Sequence, residues 1–332
     1  MNSLSDNPRR RGESEIALSL TKPDRGTVFV TGATGYIGRC LVRRLIEAPL
    51  RVRCLVLPGD AIEPLATLGV EIVRGDVTQL ETLMEHGEGV GSIVHAAAAM
   101  LPNPPALIER VNVEGTHNVL AFAKRWGVNR FVYLSAVSAV YARKNSYGRS
   151  KVAAERLVRE SGLSYTILRP TMVYGPGGGL HFEKLVALSR KIPLIFPVLG
   201  SGGARLQPIW IDDLVDVIVA VLDASQASDK TYDVSGATAL AFRDLVDAIL
   251  RAQDRRRLKL RVPLWACLLA ARALAPVLGP RSFLTPDALV GLNEDATLDH
   301  GELTRDFGFH PRALDSGLAQ LFGARRRISQ GP

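Results

Sequence analysis

Two residues one helical turn apart offer acid–base chemistry. Tyr147 and Lys151 occur in the run Tyr-Gly-Arg-Ser-Lys, and positions i and i+4 share one face of a helix. A tyrosine hydroxyl has an ordinary pKa of about 10, and a nearby ammonium lowers that pKa by favouring the phenolate. Such a pair can act as general acid and base on a carbonyl or hydroxyl group. An exposed Tyr and Lys on a plain helix would show the same spacing.

A glycine-rich turn near the start of the chain offers a second kind of chemistry. Gly32, Gly35 and Gly38 follow an apolar run with the spacing G-x-x-G-x-x-G. The first lets the chain turn off a strand, the second leaves the backbone open to a phosphate, and the third lets a helix pack closely on the sheet. A helix N-terminus also stabilises a pyrophosphate. The turn predicts a dinucleotide site, although such turns also occur as plain structure.

Alternating strands and helices must position these residues. The predicted strands are 27–31, 51–57, 70–74, 92–95, 130–135, 165–169 and 231–234. The predicted helices are 37–47, 61–68 (capped by Asp60), 79–86, 106–126, 146–161, 212–222 and 242–251. Short links between strands and helices predict an α/β fold with right-handed crossovers, a Rossmann-type doubly wound parallel sheet with a smaller C-terminal substrate lobe.

The chain divides by composition and rhythm into four parts. Residues 1–25 are polar and irregular, which predicts a disordered leader. Residues 26–170 form the predicted dinucleotide-binding Rossmann domain. Residues 171–323 form the substrate lobe, from which some elements, 212–222 above all, are expected to return to the main sheet. Residues 324–332 form a basic tail.

Composition limits the class of protein. A chain of 332 residues with 47% hydrophobic residues can bury a large core. Its three cysteines show no paired spacing, which predicts a reducing compartment with neither disulfides nor a metal site. The polar N-terminus lacks the apolar core of a signal peptide. We therefore expect a cytoplasmic protein.

The net charge of +8 is clustered rather than even. Residues 251–261 hold six basic side chains against one acidic side chain. Without interleaved aromatic residues this cluster does not predict nucleic-acid binding, and a solvated helix end is the simpler interpretation. The apolar run 262–278 contains Arg272 and two prolines, and it is short of a membrane-spanning helix. We expect it to be buried in the lobe, with peripheral contact to the inner membrane face as the alternative.

Six short motifs occur in an order that is typical of one superfamily. They are residues 31–38, 75–77, 95–98, 112–116, 147–151 and 168–177. With these motifs the chain resembles the short-chain dehydrogenase/reductase superfamily, in its extended or atypical branch of epimerase/dehydratase-like proteins. The likeness covers residues 26–323. It implies a nicotinamide dinucleotide cofactor and a small-molecule substrate.

The resemblance implies a role for each matching residue. Tyr147 would be the acid and base, and Lys151 would orient the nicotinamide ribose. Asn112 would steady the helix and strand beside the site, whereas His95, at the end of a buried strand, is expected to be structural. The residues implied to bind the cofactor are Gly32, Thr34, Gly35, Tyr36, Ile37, Gly38, Arg39, Asp76, Val77, Ala96, Ala97, Lys151, Pro170 and Val173.

The chain departs from the superfamily pattern at the catalytic serine. The position that usually holds Ser or Thr after the fifth strand falls on Ala136. Ser135 and Ser138 flank it, and either can substitute, or the catalytic step is impaired. We favour Ser138, because a residue beyond the strand end can turn toward Tyr147.

A second departure concerns the choice between NAD and NADP. A carboxylate at the end of the second strand selects NAD, whereas a basic residue there selects NADP. Leu57 and Pro58 provide neither. Arg39 or Arg53 could reach a 2′-phosphate, and on this ground the sequence favours NADP.

The lobe carries Gln207-Pro208 where sugar-nucleotide epimerases and dehydratases usually carry an Arg-Asp pair. This segment is similar to the atypical group that includes the dehydrogenase-like accessory subunit of respiratory complex I. The first hypothesis is therefore an NAD(P)-dependent oxidoreductase, epimerase or dehydratase acting on a nucleotide sugar or another carbonyl or hydroxyl compound. The second is a non-catalytic NADP(H)-binding accessory or assembly protein, and the third is a redox-sensing regulator. A homodimer through helices 106–126 and 146–161 is also expected.

Overall fold

We describe the protein from a computed structural model. The described residues are 26–192, 194–269, 273, 287, 290 and 294–329, with the side chains of 180 and 324–329 left aside. The predicted leader, residues 1–25, lies outside the described residues. So do most of residues 270–293 and the end of the basic tail.

A parallel sheet of seven strands forms the centre of the molecule. Its strands, in chain order, are β1 Thr27–Thr31, β2 Val52–Val56, β3 Glu71–Arg74, β4 Val90–His95, β5 Arg130–Leu134, β6 Tyr165–Pro170 and β11 Lys230–Val234. Their spatial order is β11-β6-β5-β4-β1-β2-β3, and every neighbouring pair is parallel. The strand order reverses between β1 and β4, which is where such sheets bind ligands. The predicted doubly wound sheet is confirmed.

Helices connect the strands and cover the sheet. They are α1 Tyr36–Glu47, α2 Glu63–Ala66, α3 Glu81–Met84, α4 Pro105–Glu109, α5 Gly115–Arg125, α6 Ser146–Arg159, α7 Leu180–Lys191, α8 Ile211–Asp223, α9 Phe242–Ala252, α10 Gly301–Phe307 and α11 Leu314–Ser329. Residues 106–126, predicted as one helix, comprise α4, a π-helical segment Arg110–Glu114 and α5 in succession. π-helical segments of this kind are frequent at functional sites.

Side-chain alternation along the strands builds one core on each face of the sheet. Val28 and Val30 of β1 enter the core that also contains residues of α1 and α8. Phe29 enters the other core, with residues of α5 and α6. Helix α8 packs against α1, and an ion pair between Arg44 and Asp216 joins the two helices.

Three two-stranded sheets build the region beyond β6. The strands are β7 Val173–Tyr174, β8 Ile195–Leu199, β9 Arg205–Leu206, β10 Ile209–Trp210, β12 Leu240–Ala241 and β13 Leu258–Val262. They pair as β7 with β10, β9 with β12 and β8 with β13. A separate aromatic cluster of Tyr174, Phe182 and Trp210 holds this region together.

Candidate active site

The glycine turn lies at the switch point of the sheet. Gly32 has a φ of +70°, and a Cβ there would lie 2.6 Å from the Ala97 nitrogen. A Cβ on Gly38 would lie 2.1 Å from the Gly32 oxygen, so only glycine lets α1 start this close to β1. Gly35 is exposed, and a Cβ there would meet only the Gly32 oxygen, at 3.1 Å. The turn is tight on its inner side and open on its outer side.

The first turn of α1 is free to bind an anion. Gly35 is the N-cap residue, no side chain caps the helix, and no acidic residue occupies its first turn. The amide groups of Tyr36, Ile37 and Gly38 have no intrahelical acceptor at this position. With the helix dipole they form a binding place for a pyrophosphate.

The end of β4 lies directly beside the glycine turn. The Ala96 amide donates to the Thr31 carbonyl at 3.3 Å, and the Ala97 amide donates to the Thr31 hydroxyl at 3.2 Å. Ala96 and Ala97 are therefore next to Gly32, as a shared cofactor site requires.

Tyr36 links the glycine turn to the loop after β7. Its ring lies against Gly178, where a Cβ would approach the ring to 1.8 Å. Its hydroxyl is buried with no hydrogen-bond partner among the described residues, and burial raises its pKa. Pro170 ends β6 and Val173 begins β7, so both lie close to this loop.

Asp60 reaches the glycine turn, which the sequence did not indicate. Its Oδ2 accepts a hydrogen bond from the Thr34 hydroxyl at 2.9 Å. Arg74, the last residue of β3, donates to the carbonyls of Leu57 and Asp60 and thereby holds the loop after β2. Asp60 was predicted to cap helix 61–68. That prediction is wrong, because α2 begins at Glu63 and no side chain caps it.

Arg53 is far from the place where a 2′-phosphate would bind. Its guanidinium donates to the carbonyls of His86 and Glu88, which precede β4, and it pairs with Glu71 at 2.7 Å. It therefore lies at the amino edge of the sheet, whereas the glycine turn is at the carboxyl edge. The expectation that Arg53 binds the cofactor is wrong. Arg39, in the first turns of α1, stays a prediction.

Asp76 and Val77 follow β3 at the same carboxyl edge. Asp76 Oδ1 accepts from the Thr78 amide at 2.9 Å, which fixes the turn. The Val77 side chain is buried against Gly115, and its carbonyl accepts from Asn118. That Asp76 and Val77 meet the adenine stays a prediction.

Helix α6 carries the predicted acid–base pair. The Asn145 side chain caps it by accepting from the Gly148 amide at 2.9 Å. Tyr147 is half-buried, and Lys151 is fully buried one turn later. The Lys151 ammonium donates to the Leu134 carbonyl at 2.8 Å and to the Tyr133 hydroxyl at 3.3 Å, and it lies 5.7 Å from the centre of the Tyr147 ring.

The electrostatics of this pair differ from the expectation. Burial lowers the pKa of Lys151 to about 7. Burial raises the pKa of Tyr147, so in this structure the phenol is not shifted toward the phenolate. The expectation that Lys151 lowers the pKa of Tyr147 is wrong here, because the ammonium hydrogen-bonds the end of β5 instead of the tyrosine hydroxyl.

The structure separates the two candidate serines. The Ser135 hydroxyl donates to Glu155 at 2.6 Å, inside a buried cluster that includes Arg159 and Arg169. The Ser138 hydroxyl is buried with no partner among the described residues. The carbonyl of Ser138 lies 2.6 Å from where a Cβ of Gly148 would be, so the Ser138 backbone packs against the first turn of α6, which carries Tyr147. Of the two serines, only Ser138 has a hydroxyl without a partner among the described residues. That it acts with Tyr147 stays a prediction.

His95 and Asn112 join β4 to the neighbouring helices. The two ring nitrogens of His95 bond the hydroxyls of Thr31 and Thr116, and burial lowers its pKa to about 3. Asn112 binds both backbone groups of Ala99 and donates to Ser150 on α6. His95 is thus a neutral residue held inside the fold, and Asn112 holds the β4 loop against the catalytic helix.

Comparison with known proteins places this geometry in a family. The family model described as "NAD dependent epimerase/dehydratase family" matches residues 28–235. The chain belongs to this family. It is an extended short-chain dehydrogenase/reductase, and its family members use a nicotinamide dinucleotide.

Individual relatives cover several activities. A UDP-glucose 4-epimerase of Vibrio cholerae is 29% identical over 72% of this chain and 79% of its own length. A ceramide reductase of Caulobacter vibrioides is 34% identical over 63% of this chain and 66% of its own length. The solved dTDP-glucose 4,6-dehydratase DesIV of Streptomyces venezuelae, with NAD and TYD bound, has a TM-score of 0.73 at 22% identity and covers 91% of this chain and 97% of that one. The last similarity concerns the fold alone.

Gln207 shows how this family member differs in the lobe. Its Nε2 donates to the Gly236 carbonyl at 2.8 Å, and its Oε1 accepts from the Leu298 amide at 3.1 Å. The side chain is therefore used to clamp three segments of backbone rather than to face a substrate. Sequence reasoning also missed Tyr133 and Asp60. No motif indicated Tyr133, whereas a carboxylate about 20 residues beyond the glycine turn was a signal that could have found Asp60.

Proposed function

We propose that this protein is an NAD(P)-dependent oxidoreductase that moves hydride between the nicotinamide and a carbon bearing oxygen. The observation that supports the proposal is that α6 holds Tyr147 and Lys151 one turn apart, while the buried hydroxyl of Ser138, after the end of β5, has no partner among the described residues. All three lie at the edge of the sheet that bears the glycine turn. When bound, the cofactor supplies or accepts the hydride.

The side chains divide the remaining work. Tyr147 donates its phenol proton to the substrate oxygen in reduction and takes it back in oxidation. Ser138 donates a hydrogen bond to the same oxygen as negative charge develops there. The raised pKa of Tyr147 keeps the phenol protonated at neutral pH, so the proton that reduction of a carbonyl needs is present on the side chain.

We propose that NAD is preferred over NADP, contrary to the expectation from the sequence. Asp60 bonds Thr34 inside the glycine turn and lies about 20 residues beyond it, where a carboxylate accepts from the ribose 2′-hydroxyl. A 2′-phosphate there would meet a like charge. Arg39 is the residue that would favour NADP instead, since it lies in the first turns of α1.

Fluorescence titration with NADH and NADPH tests this choice. In Asp60→Ser we expect NADH to bind about tenfold more weakly and NADPH more tightly. Arg39→Ala is the matched variant, and it should change neither dissociation constant by more than about twofold. A loss of NADPH binding in Arg39→Ala, with NADPH bound best by the unaltered protein, would restore the NADP assignment.

Turnover is tested with a panel of carbonyl and hydroxyl compounds that includes a ceramide and UDP-glucose, the compounds that the names of two relatives contain. We expect Tyr147→Phe to reduce kcat at least about 100-fold while the Kd for NADH stays within about twofold. Tyr165→Phe, a change on β6 at the other edge of the sheet, is the control. An active Tyr147→Phe enzyme would overturn the mechanism.

A second function is favoured by one specific observation. Ala136 stands at the usual serine position, and Ser135 is held by Glu155. If Ser138 cannot take over, the protein is a non-catalytic accessory protein that keeps its dinucleotide as a structural ligand. Tight NADH binding with no turnover on the panel, equal in the unaltered protein and Tyr147→Phe, would favour this function.

The organisation of the chain remains part of the proposal. We propose that residues 26–170 bind the dinucleotide and that residues 171–323 select the substrate. The lobe has an aromatic cluster of its own, while α8 and β11 join the core of the central sheet. We also propose a homodimer through α5 and α6, where Val152 is exposed. Light scattering would measure its mass, and Val152→Glu should then yield a monomer.

A further inference from the structure

In the small sheet of β8 and β13, a helix covers one face and the other face is exposed. Phe196 and Val198 of β8 point inward and pack against Val246 and Leu250 of α9. Because alternate side chains of a strand point to opposite faces, Ile195 of β8 faces away from this cluster. Within the described part of the chain no helix covers Ile195, which is 48% exposed.

The paired strand extends the same bare face. Leu258 lies opposite Ile195 and Leu260 opposite Pro197, so these residues share the outer side. Leu258 is 73% exposed and Leu260 is 57% exposed. Residues 264–269 form a helical segment above, in which Trp265 is 69% exposed. We name this surface the outer apolar face, comprising Leu194, Ile195, Leu258, Leu260, Trp265 and Leu269.

Exposed apolar side chains are more concentrated here than on the rest of the described surface. Twelve large hydrophobic side chains are exposed among the described residues, and six of them form the outer apolar face. Scattered single residues need no explanation, whereas a contiguous patch indicates an interaction site. The expected burial of the run from residue 262 holds for one side of residues 264–269, where Cys267 is buried against Leu199 and Val262, whereas Trp265 and Leu269 point to solvent.

Exposed basic side chains occur in the segment that forms the outer apolar face. Arg256, two residues before Leu258, is exposed and pairs with no carboxylate among the described residues. Arg261 is also exposed, but it lies opposite Val198 and shares its side of β13 with Lys259, so it points to the α9 face. Lys259, between two of the exposed leucines, pairs with Asp247 of α9. The surface therefore combines apolar side chains, an exposed tryptophan and uncompensated positive charge.

We propose that the outer apolar face docks on the surface of an anionic lipid bilayer. Apolar side chains and tryptophan enter the interface between head groups and acyl chains, while arginines meet anionic head groups. A second copy of this chain is a poor occupant, since two faces of this kind would bring like charges together. No described helix is long and apolar enough to cross a bilayer, so the contact would be peripheral.

Vesicle flotation of the full chain tests the proposal. Vesicles of phosphatidylglycerol and phosphatidylcholine in equal parts should bind the protein at least about tenfold more tightly than phosphatidylcholine alone. Raising the salt concentration should weaken the binding. Equal binding to both vesicles, or no binding to either, would overturn the proposal.

Variants separate the apolar and basic contributions. Leu258→Ser combined with Leu260→Ser, and separately Trp265→Ser, should lose most of the vesicle binding, whereas Leu57→Ser, an exposed leucine elsewhere, should not. Arg256→Glu should weaken the preference for phosphatidylglycerol, and Arg43→Glu on α1 is its control. Circular dichroism and thermal unfolding must show that each variant is folded.

Two results would contradict the assignment of this face. Full binding by the leucine and tryptophan variants would transfer the lipid contact to another basic part of the chain, such as the leader or the tail. A dimer in light scattering that dissociates in Leu258→Ser with Leu260→Ser would make a second copy the occupant. The test needs no substrate, so its outcome is independent of the proposed catalysis.

Discussion

The central sheet and the β8–β13 sheet are both parallel, but they differ in how many of their faces helices cover. Helices cover both faces of the central sheet. Each of its two cores contains buried residues of β1, β2, β4, β5 and β6. The β8–β13 sheet is packed by α9 on one face and is bare on the other. A sheet covered on both sides offers only its carboxyl edge to a ligand, whereas a half-covered sheet offers a whole face to a surface.

The ion pairs of the two regions also differ in how deeply they are buried. Glu155 is 3% exposed and accepts from Ser135, Arg159 and Arg169, and these partners hold its pKa low despite burial. The pair of Lys259 with Asp247 lies near the small sheet, with both side chains about one-third exposed. Buried ion clusters are costly to break, and exposed pairs contribute little. The comparison therefore predicts unequal effects for equal substitutions.

The largest effect is expected for Glu155→Ala. It removes the carboxylate that Arg159 and Arg169 share and leaves Arg169 only its longer pair with Asp233, at 3.7 Å. We expect the free energy of unfolding to fall by about 3–5 kcal/mol. Asp247→Ala, the same kind of change at the exposed pair, should cost less than about 1 kcal/mol. Urea unfolding measures both, and equal losses would remove the distinction between the two regions.

A smaller loss is expected for Gly38→Ala at the carboxyl edge. The added Cβ would meet the Gly32 oxygen at 2.1 Å, so α1 must move away from β1. We expect a loss of about 1–3 kcal/mol in stability, together with weaker NADH binding. Gly203→Ala, where a Cβ meets only a serine side chain at 3.4 Å, is the control. Unchanged NADH binding in Gly38→Ala would contradict the role of the turn.

The pH dependence of stability should reveal the buried His95. Its folded pKa of about 3 is below its unfolded value, so between these values the unfolded chain binds more protons and stability rises with pH. On acidification from about pH 6.5 the unaltered protein should lose up to about 1.4 kcal/mol per pH unit through this group. His95→Gln should show a shallower slope, and His117→Gln on the exposed side of α5 is the comparison. Equal slopes would mean that His95 is not buried in its neutral form.

The smallest effect on stability is expected for Leu260→Ser on the bare face. The side chain is already 57% exposed, so folding removes little of it from water. We expect the free energy of unfolding to change by less than about 0.5 kcal/mol. A loss of several kcal/mol would show that the chain itself covers this face.

Local sequence predicted most of the secondary structure and the sheet. Strand β1 has the predicted bounds, and helices α6 and α8 differ from prediction by one or two residues. Glycine spacing and side-chain periodicity are properties of neighbouring residues, so the chain itself specifies the glycine turn and the face shared by Tyr147 and Lys151. The sequence also located Ser138 as a candidate beside Tyr147, from the strand end alone.

Other features depended on which segments meet in space. Asp60 meets Thr34, Arg53 meets the carbonyls before β4, and Ser135 meets Glu155 only after the strands have been ordered. Periodicity shows that Leu258 and Leu260 share a face, but it cannot show whether another element covers that face. The sequence by itself determined the doubly wound sheet and its glycine turn. The tertiary structure alone decided that Asp60 bonds Thr34, that Glu155 holds Ser135 and which apolar face meets solvent, because these depend on contacts between residues far apart in the chain.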